Sequence, residues 1–112
     1  MLTGSAGSTD EAKIFFLRAE LDLVLSLYGK LVAQGEWRDY AIDSLRDRVV
    51  FSVFRRTSES PLYQIEKRPA LARRQGAFAV IAQGGLVMRR GHDLAQVLKV
   101  FDRQVVRLAP VD

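Results

Sequence analysis

Between residues 17 and 32 apolar side chains recur every three or four positions, and from residue 49 onward they alternate or gather in short runs. This change of period constrains the fold more than any other feature, because a helix repeats every 3.6 residues and a strand every two. Leu17, Leu21, Val24, Leu25, Tyr28, Leu31 and Val32 make one wide apolar stripe, with Glu20, Ser26, Lys30 and Gln34 away from it. The spacing predicts a helix over 19–35 that stops at Gly35, a residue suited to the left-handed position after a helix. Gly29 falls inside it, where glycine costs roughly 1 kcal/mol relative to alanine. Close packing of the helix on the sheet is the expected reason. The preceding "KIFF" reads as a short strand or as the first helical turn.

The next segments read as strands. "EWRDYAIDSLRDR" has no clean helical period and predicts a turn, then an extended stretch over 39–45. "RVVFSVFRR" is rich in β-branched and aromatic residues, with Val49, Phe51 and Val53 facing one way and Val50, Ser52 and Phe54 the other. "TSES" and Pro61 turn the chain, "LYQIEK" returns as a strand, and Pro69 ends it. "AFAVIAQ" and "LVMRR" form a hairpin through Gly84 and Gly85. A second helical stripe, Leu94, Val97, Leu98, Phe101, Val105 and Leu108, predicts a C-terminal helix with Asp93 or His92 at its N-cap and Pro110 beyond its end. The expected fold class is α+β, an antiparallel sheet of four to five strands with an N-terminal and a C-terminal helix packed on one face. Each helix has one apolar stripe, so the other sheet face or an edge strand stays open to a partner. The expected organisation is a disordered tail over 1–12, a single domain over 13–108 and a C-terminal tail over 109–112.

Several activities are excluded or disfavoured by what the chain lacks. It has no cysteine, which removes disulfides, thiolate zinc sites and cysteine nucleophiles. Its one histidine, His92, removes sites that need two imidazoles. The glycines at 84, 85 and 91 lack the spacing and the lysine of a phosphate-binding loop, and no nucleophile–base pair is suggested. Glu20 and Asp22 are two apart on a helix and do not face each other. No enzyme activity, cofactor or metal is therefore expected. "MLTGSAGSTD" has neither the basic nor the apolar region of a signal peptide. The longest apolar run, "LDLVLSLYG", carries Asp22 and is too short to span a bilayer. A cytoplasmic protein without a membrane partner is expected.

Charge is the informative feature that remains. The net charge of +4 is uneven: residues 1–45 carry −3, residues 46–90 carry +7, and the rest balance. "KRPALARRQGAF" places Lys67, Arg68, Arg73 and Arg74 close together. If the strands pair in antiparallel fashion, Arg89 and Arg90 return to the same end, and the last helix starts there beside His92. Arginine suits phosphate because its guanidinium binds bidentately, and a helix N-terminus favours anions. His92 adds the chain's one imidazole to that end. Lys67, Arg68, Arg73, Arg74, Arg89, Arg90 and His92 are thus the candidate contacts for nucleic acid or another polyanion. Phe51, Phe54, Tyr63 and Phe78 could stack on bases if they lie on an open face, although aromatics of this kind more often belong to the core. The plainer alternative, and the more common role of such charge, is to keep strand ends solvated and unaggregated. Glu66, among these bases, is expected to balance them.

A second reading is a protein-interaction or regulatory adaptor, homodimeric or with another protein, that uses an edge strand or the cluster Trp37, Arg38 and Tyr40. The alternative for that cluster is a lid over the core with a local Arg38–Asp39 pair.

The stretches "ELDLVLSLYGKLVAQGEWRDYAID", "VFSVFRR", "PLYQIEKRP", "LARRQGAF" and "RRGHDLAQVLKVFD" together resemble a family of small alphaproteobacterial proteins classed as a domain of unknown function. The resemblance spans about residues 14 to 103. It implies a bacterial, cytoplasmic, stand-alone domain and supplies no catalytic or binding residue.

Overall fold

A computed structural model describes residues 12–56 and 60–103. Helix α1 (Arg18–Ala33) is followed by strands β1 (Asp39–Ser44), β2 (Val49–Phe54), β3 (Tyr63–Lys67), β4 (Phe78–Ala82) and β5 (Val87–Gly91). A short helix, α2 (Leu94–Val97), runs on into a 3₁₀ turn (Leu98–Phe101). The strands form one five-stranded antiparallel meander in the order β1-β2-β3-β4-β5. Strand register is set by alternation, since a one-residue slip would turn each core side chain to the opposite face.

The N-cap of helix α1 is Leu17, which has no capping oxygen of its own. Glu20 reaches back instead and accepts from the Leu17 N–H at 2.8 Å, satisfying one of the orphan donors of the first turn. The helix ends as its glycine predicts. Gly35 has φ +79°, its N–H donates to the Val32 carbonyl, and the Glu36 N–H donates to Leu31. This is the paired-bond cap that a left-handed residue allows, and it swings Trp37 back under the helix. Gly29 corrects its expectation. It is exposed, and a Cβ built there would meet nothing within 4 Å. No close packing requires it.

The core lies between the helices and the sheet face that carries Val49, Phe51 and Val53, with Val24 and Leu31 of α1 fully buried against it. Leu17 and Val32, at the ends of the predicted stripe, are exposed. Trp37, Tyr63 and Phe101 pack edge-on or tilted, with ring centroids 5.0–6.2 Å apart. This cluster joins the end of α1, the sheet and the C-terminal segment, so both helices share one sheet face. "KIFF" is neither strand nor helical turn. It is an irregular segment tied down by the Ile14 N–H donating to the Leu45 carbonyl. The C-terminal element departs from a long α-helix by changing to 3₁₀ at Leu98. Val105, Leu108 and the two expected tails, save residue 12, lie outside the described residues.

Val50, Ser52, Glu66 and Ala79 are buried on the second sheet face, where no described helix lies. Their cover is side chains of the sheet itself. Gln64 donates to Ser52 at 3.2 Å, and arginines close over Glu66.

Candidate functional site at the basic end of the sheet

Register decides which charges meet. Lys67 pairs with Val49 on one side and Phe78 on the other, and Phe78 pairs with Gly91. The end of β3, the start of β4 and the end of β5 therefore form one rim, as the inferred pairing required. The loop that carries Arg73 and Arg74 leaves this rim at Arg68 and returns at Ala77, closed by the Arg68 N–H donating to the Ala77 carbonyl at 2.7 Å. Pro69, with its preset φ, starts a 3₁₀ turn over Pro69–Leu71 within that loop.

Gly76 closes the loop. Its φ is +107°, and a Cβ there would stand 2.2 Å from the Gly91 carbonyl carbon. Backbone meets backbone at this point, which only glycine permits. The Gly76 carbonyl then accepts from Arg90 at 3.3 Å.

The rim bases fall into two groups. Lys67, Arg68 and Arg90 are tied down. The Lys67 ammonium donates to Glu20 at 2.9 Å and to the Phe15 carbonyl at 3.1 Å, pinning the chain before α1 to the sheet. Glu66, 3 % exposed, sits beneath Arg68, Arg90 and Arg48, at 3.3, 3.2 and 3.8 Å. Asp47 adds a second carboxylate, 2.8 Å from Arg68 and 3.1 Å from Arg48. Hydrogen bonding to Glu66, with the charges of Glu66 and Asp47, holds the Arg68 guanidinium above its ordinary pKa against the opposing effect of burial. The expectation that Glu66 balances neighbouring bases holds. Its partner Arg48 was not singled out beforehand, although parity could have found it. Counting by twos along the antiparallel pair β2–β3 puts Arg48 opposite Arg68 on the Glu66 face.

Arg73, Arg74, Arg89 and His92 are exposed and make no salt bridge among the described residues. The arginine doublet of β5 does not act as a pair. Arg90 registers with Ala79 on the Glu66 face, whereas Arg89 registers with Val80 on the helix face. The helix N-terminus is also a correction to the anion reading. Helix α2 has four residues, and the Asp93 side chain already accepts from the Ala95 N–H at 3.0 Å. A carboxylate occupies the position where an anion was expected.

Burial decides the aromatic candidates in favour of the core. Phe51 and Phe78 are in the core, and Tyr63 packs on Trp37 and Phe101. Only Phe54 keeps partial exposure on the open face. Trp37 is likewise removed from the surface. It is 3 % exposed, which leaves almost no area for a partner, and its place is the core lid. Arg38 is exposed, and its carbonyl accepts from the Tyr28 hydroxyl. Tyr40 is 45 % exposed and stacks on Phe51.

Among the described residues no enclosed cavity opens and no group of three acids or histidines is placed to hold a metal. This end offers a ligand a surface rather than a pocket. No described helix is long and apolar enough to cross a membrane.

The family described as protein of unknown function (DUF2794) matches residues 14–98, and the chain belongs to it. No curated protein and no solved structure matches the chain.

Proposed function

We propose that this member of the DUF2794 family is a non-enzymatic binding module for a polyanion, held through phosphate groups at the basic end of the sheet. The observation that carries the reading is the division of the rim charge. Arg73, Arg74, Arg89 and His92 stand at one end without a described salt-bridge partner, while Glu20, Asp47 and Glu66 are already engaged by Lys67, Arg48, Arg68 and Arg90. Carboxylates held in this way repel an incoming phosphate less than free ones would. The tied arginines act as scaffold and the untied ones as contacts, so the contact set is narrower than the sequence suggested.

Fluorescence anisotropy against labelled single-stranded DNA, duplex DNA and RNA over a salt series tests this. Binding should weaken steeply with salt as condensed counterions are released. The triple substitution Arg73→Glu, Arg74→Glu, Arg89→Glu should abolish it and leave the melting temperature within a few degrees. Binding that is unchanged in the triple variant would remove the rim from the function.

The adaptor reading keeps one support. Val87 and Met88 on edge strand β5, with Leu86 just before it, are 46 %, 44 % and 69 % exposed, an apolar run at an open edge. A dimer by light scattering at both low and high salt, lost in Val87→Lys, would favour it.

A further inference from the structure

The segment ahead of α1 alternates. Ile14 and Phe16 are part-buried, with Phe16 packed against the core, while Phe15 and Leu17 are 62 % and 63 % exposed. The backbone that carries these two outward side chains is anchored. The Ile14 N–H donates to Leu45 at 2.8 Å, and the Phe15 carbonyl accepts from Lys67 at 3.1 Å. Both anchors belong to the basic end, Leu45 in the β1–β2 turn and Lys67 on the rim. Exposed Arg18 follows Leu17 directly, exposed Arg46 follows Leu45, and the Arg73–Arg74 loop begins one residue beyond Lys67. A backbone-anchored apolar pair thus shares one end of the molecule with these cations.

We infer that this tip docks on an anionic phospholipid surface, with the arginines on headgroup phosphates and Phe15 and Leu17 in the acyl boundary. The inference rests on the polyanion reading of the same end and names its partner. Peripheral attachment needs two signals together, a small apolar insertion and a basic patch, because either alone binds marginally. This tip supplies both. A nucleic acid would use the charge and leave Leu17 in water. Among the described acids of this end, Glu20 is paired with Lys67, Asp47 with Arg48 and Arg68, and Asp93 caps the short helix α2 through the Ala95 N–H, so each already has a partner that offsets its repulsion of headgroup phosphates. The lack of a spanning segment has no bearing on contact of this kind.

The test is co-sedimentation of the full chain with phosphatidylcholine vesicles, with and without about one-third phosphatidylglycerol, beside anisotropy with single-stranded DNA. The expected result is binding to the anionic vesicles only. Phe15→Ser with Leu17→Ser should weaken it roughly tenfold to a hundredfold, as for withdrawing two part-inserted apolar side chains. The same variant should leave DNA binding unchanged. Because the chain has no cysteine, Phe15→Cys takes a single environment-sensitive dye, whose emission should shift to the blue on anionic vesicles. Vesicle binding that is indifferent to both apolar substitutions, with no dye shift, overturns the inference and leaves the polyanion reading standing. DNA binding without vesicle binding does the same. Loss of neither in Arg73→Glu with Arg74→Glu overturns both.

Discussion

Glu66→Gln is the substitution that most directly tests how the basic end is built. The carboxylate is 4 % exposed and accepts from Arg68 through both oxygens at 3.3 Å and from Arg90 at 3.2 Å, with Arg48 at 3.8 Å. Glutamine keeps the shape but removes the charge, and it turns an NH₂ group toward a guanidinium. Hydrogen bonds to charged groups contribute about 1.5–3 kcal/mol each, and breaking a fully buried pair costs about 3–5 kcal/mol. Arg48, Arg68 and Arg90 are 34 %, 29 % and 17 % exposed, so they can recover part of this from water. A loss of about 2–4 kcal/mol follows, or roughly 8–16 °C in melting temperature for a domain of this size. Urea unfolding followed by circular dichroism measures it. Asp47→Asn is the control. Its side chain is 52 % exposed, and the loss should stay below about 1 kcal/mol. A Glu66→Gln protein within about 0.5 kcal/mol of the parent would refute the view that this carboxylate holds the rim together. The variant also bears on function, since it leaves guanidiniums less occupied at the rim. Polyanion affinity should rise severalfold at low salt even as stability falls, a pair of opposite changes that simple misfolding does not produce.

Three further outcomes follow from the packing. Gly76→Ala should cost about 3 kcal/mol or more, combining the strain of a positive φ with a Cβ driven into the Gly91 backbone, and denaturant unfolding would show it. Gly29→Ala should raise stability by about 0.5–1 kcal/mol in the same assay, because its Cβ enters open space on a helix. Burial, with Asp39 and Tyr40 close by, raises the Tyr28 pKa above its ordinary 10.0. Folding then favours the protonated phenol, so the stability this gives is intact below 10.0 and is lost as pH climbs through the raised folded value. Tyr28→Phe should flatten that alkaline limb in a thermal-melt series from pH 8 to pH 11, while losing the hydrogen bond to Arg38.

The fold was legible in the sequence because its signals are local. Alternation in "RVVFSVFRR", the Gly84–Gly85 turn and Gly35 after the helical stripe each act over a few residues. The same locality gave the rim, since in a simple meander consecutive strands return to the same ends. What could not be read was the third dimension of each side chain. Trp37 and Tyr40 look alike in a list of interface residues, yet the cap at Gly35 turns the first inward and leaves the second on the surface. Gly29 and Gly76 are both single glycines in otherwise unremarkable stretches. One faces open space and the other touches the backbone of Gly91, fifteen residues away in sequence and adjacent only after β4 and β5 have paired.

Charge shows the limit of linear reading most plainly. Arg89 and Arg90 are neighbours in the chain, but the two-residue period of a strand sends them to opposite faces, one to the helix side and one to Glu66. Lys67 and Arg68 divide in the same way, toward Glu20 and toward Glu66. A basic stretch within strands is therefore two half-density stripes, and each meets its own acids. The loop has no such period, so Arg73 and Arg74 can both remain turned to solvent beside the strand ends. The part of "KRPALARRQG" not engaged in holding the fold is the part that lies between strands, so the proposed phosphate contacts rest on those residues rather than on the sum of the charges.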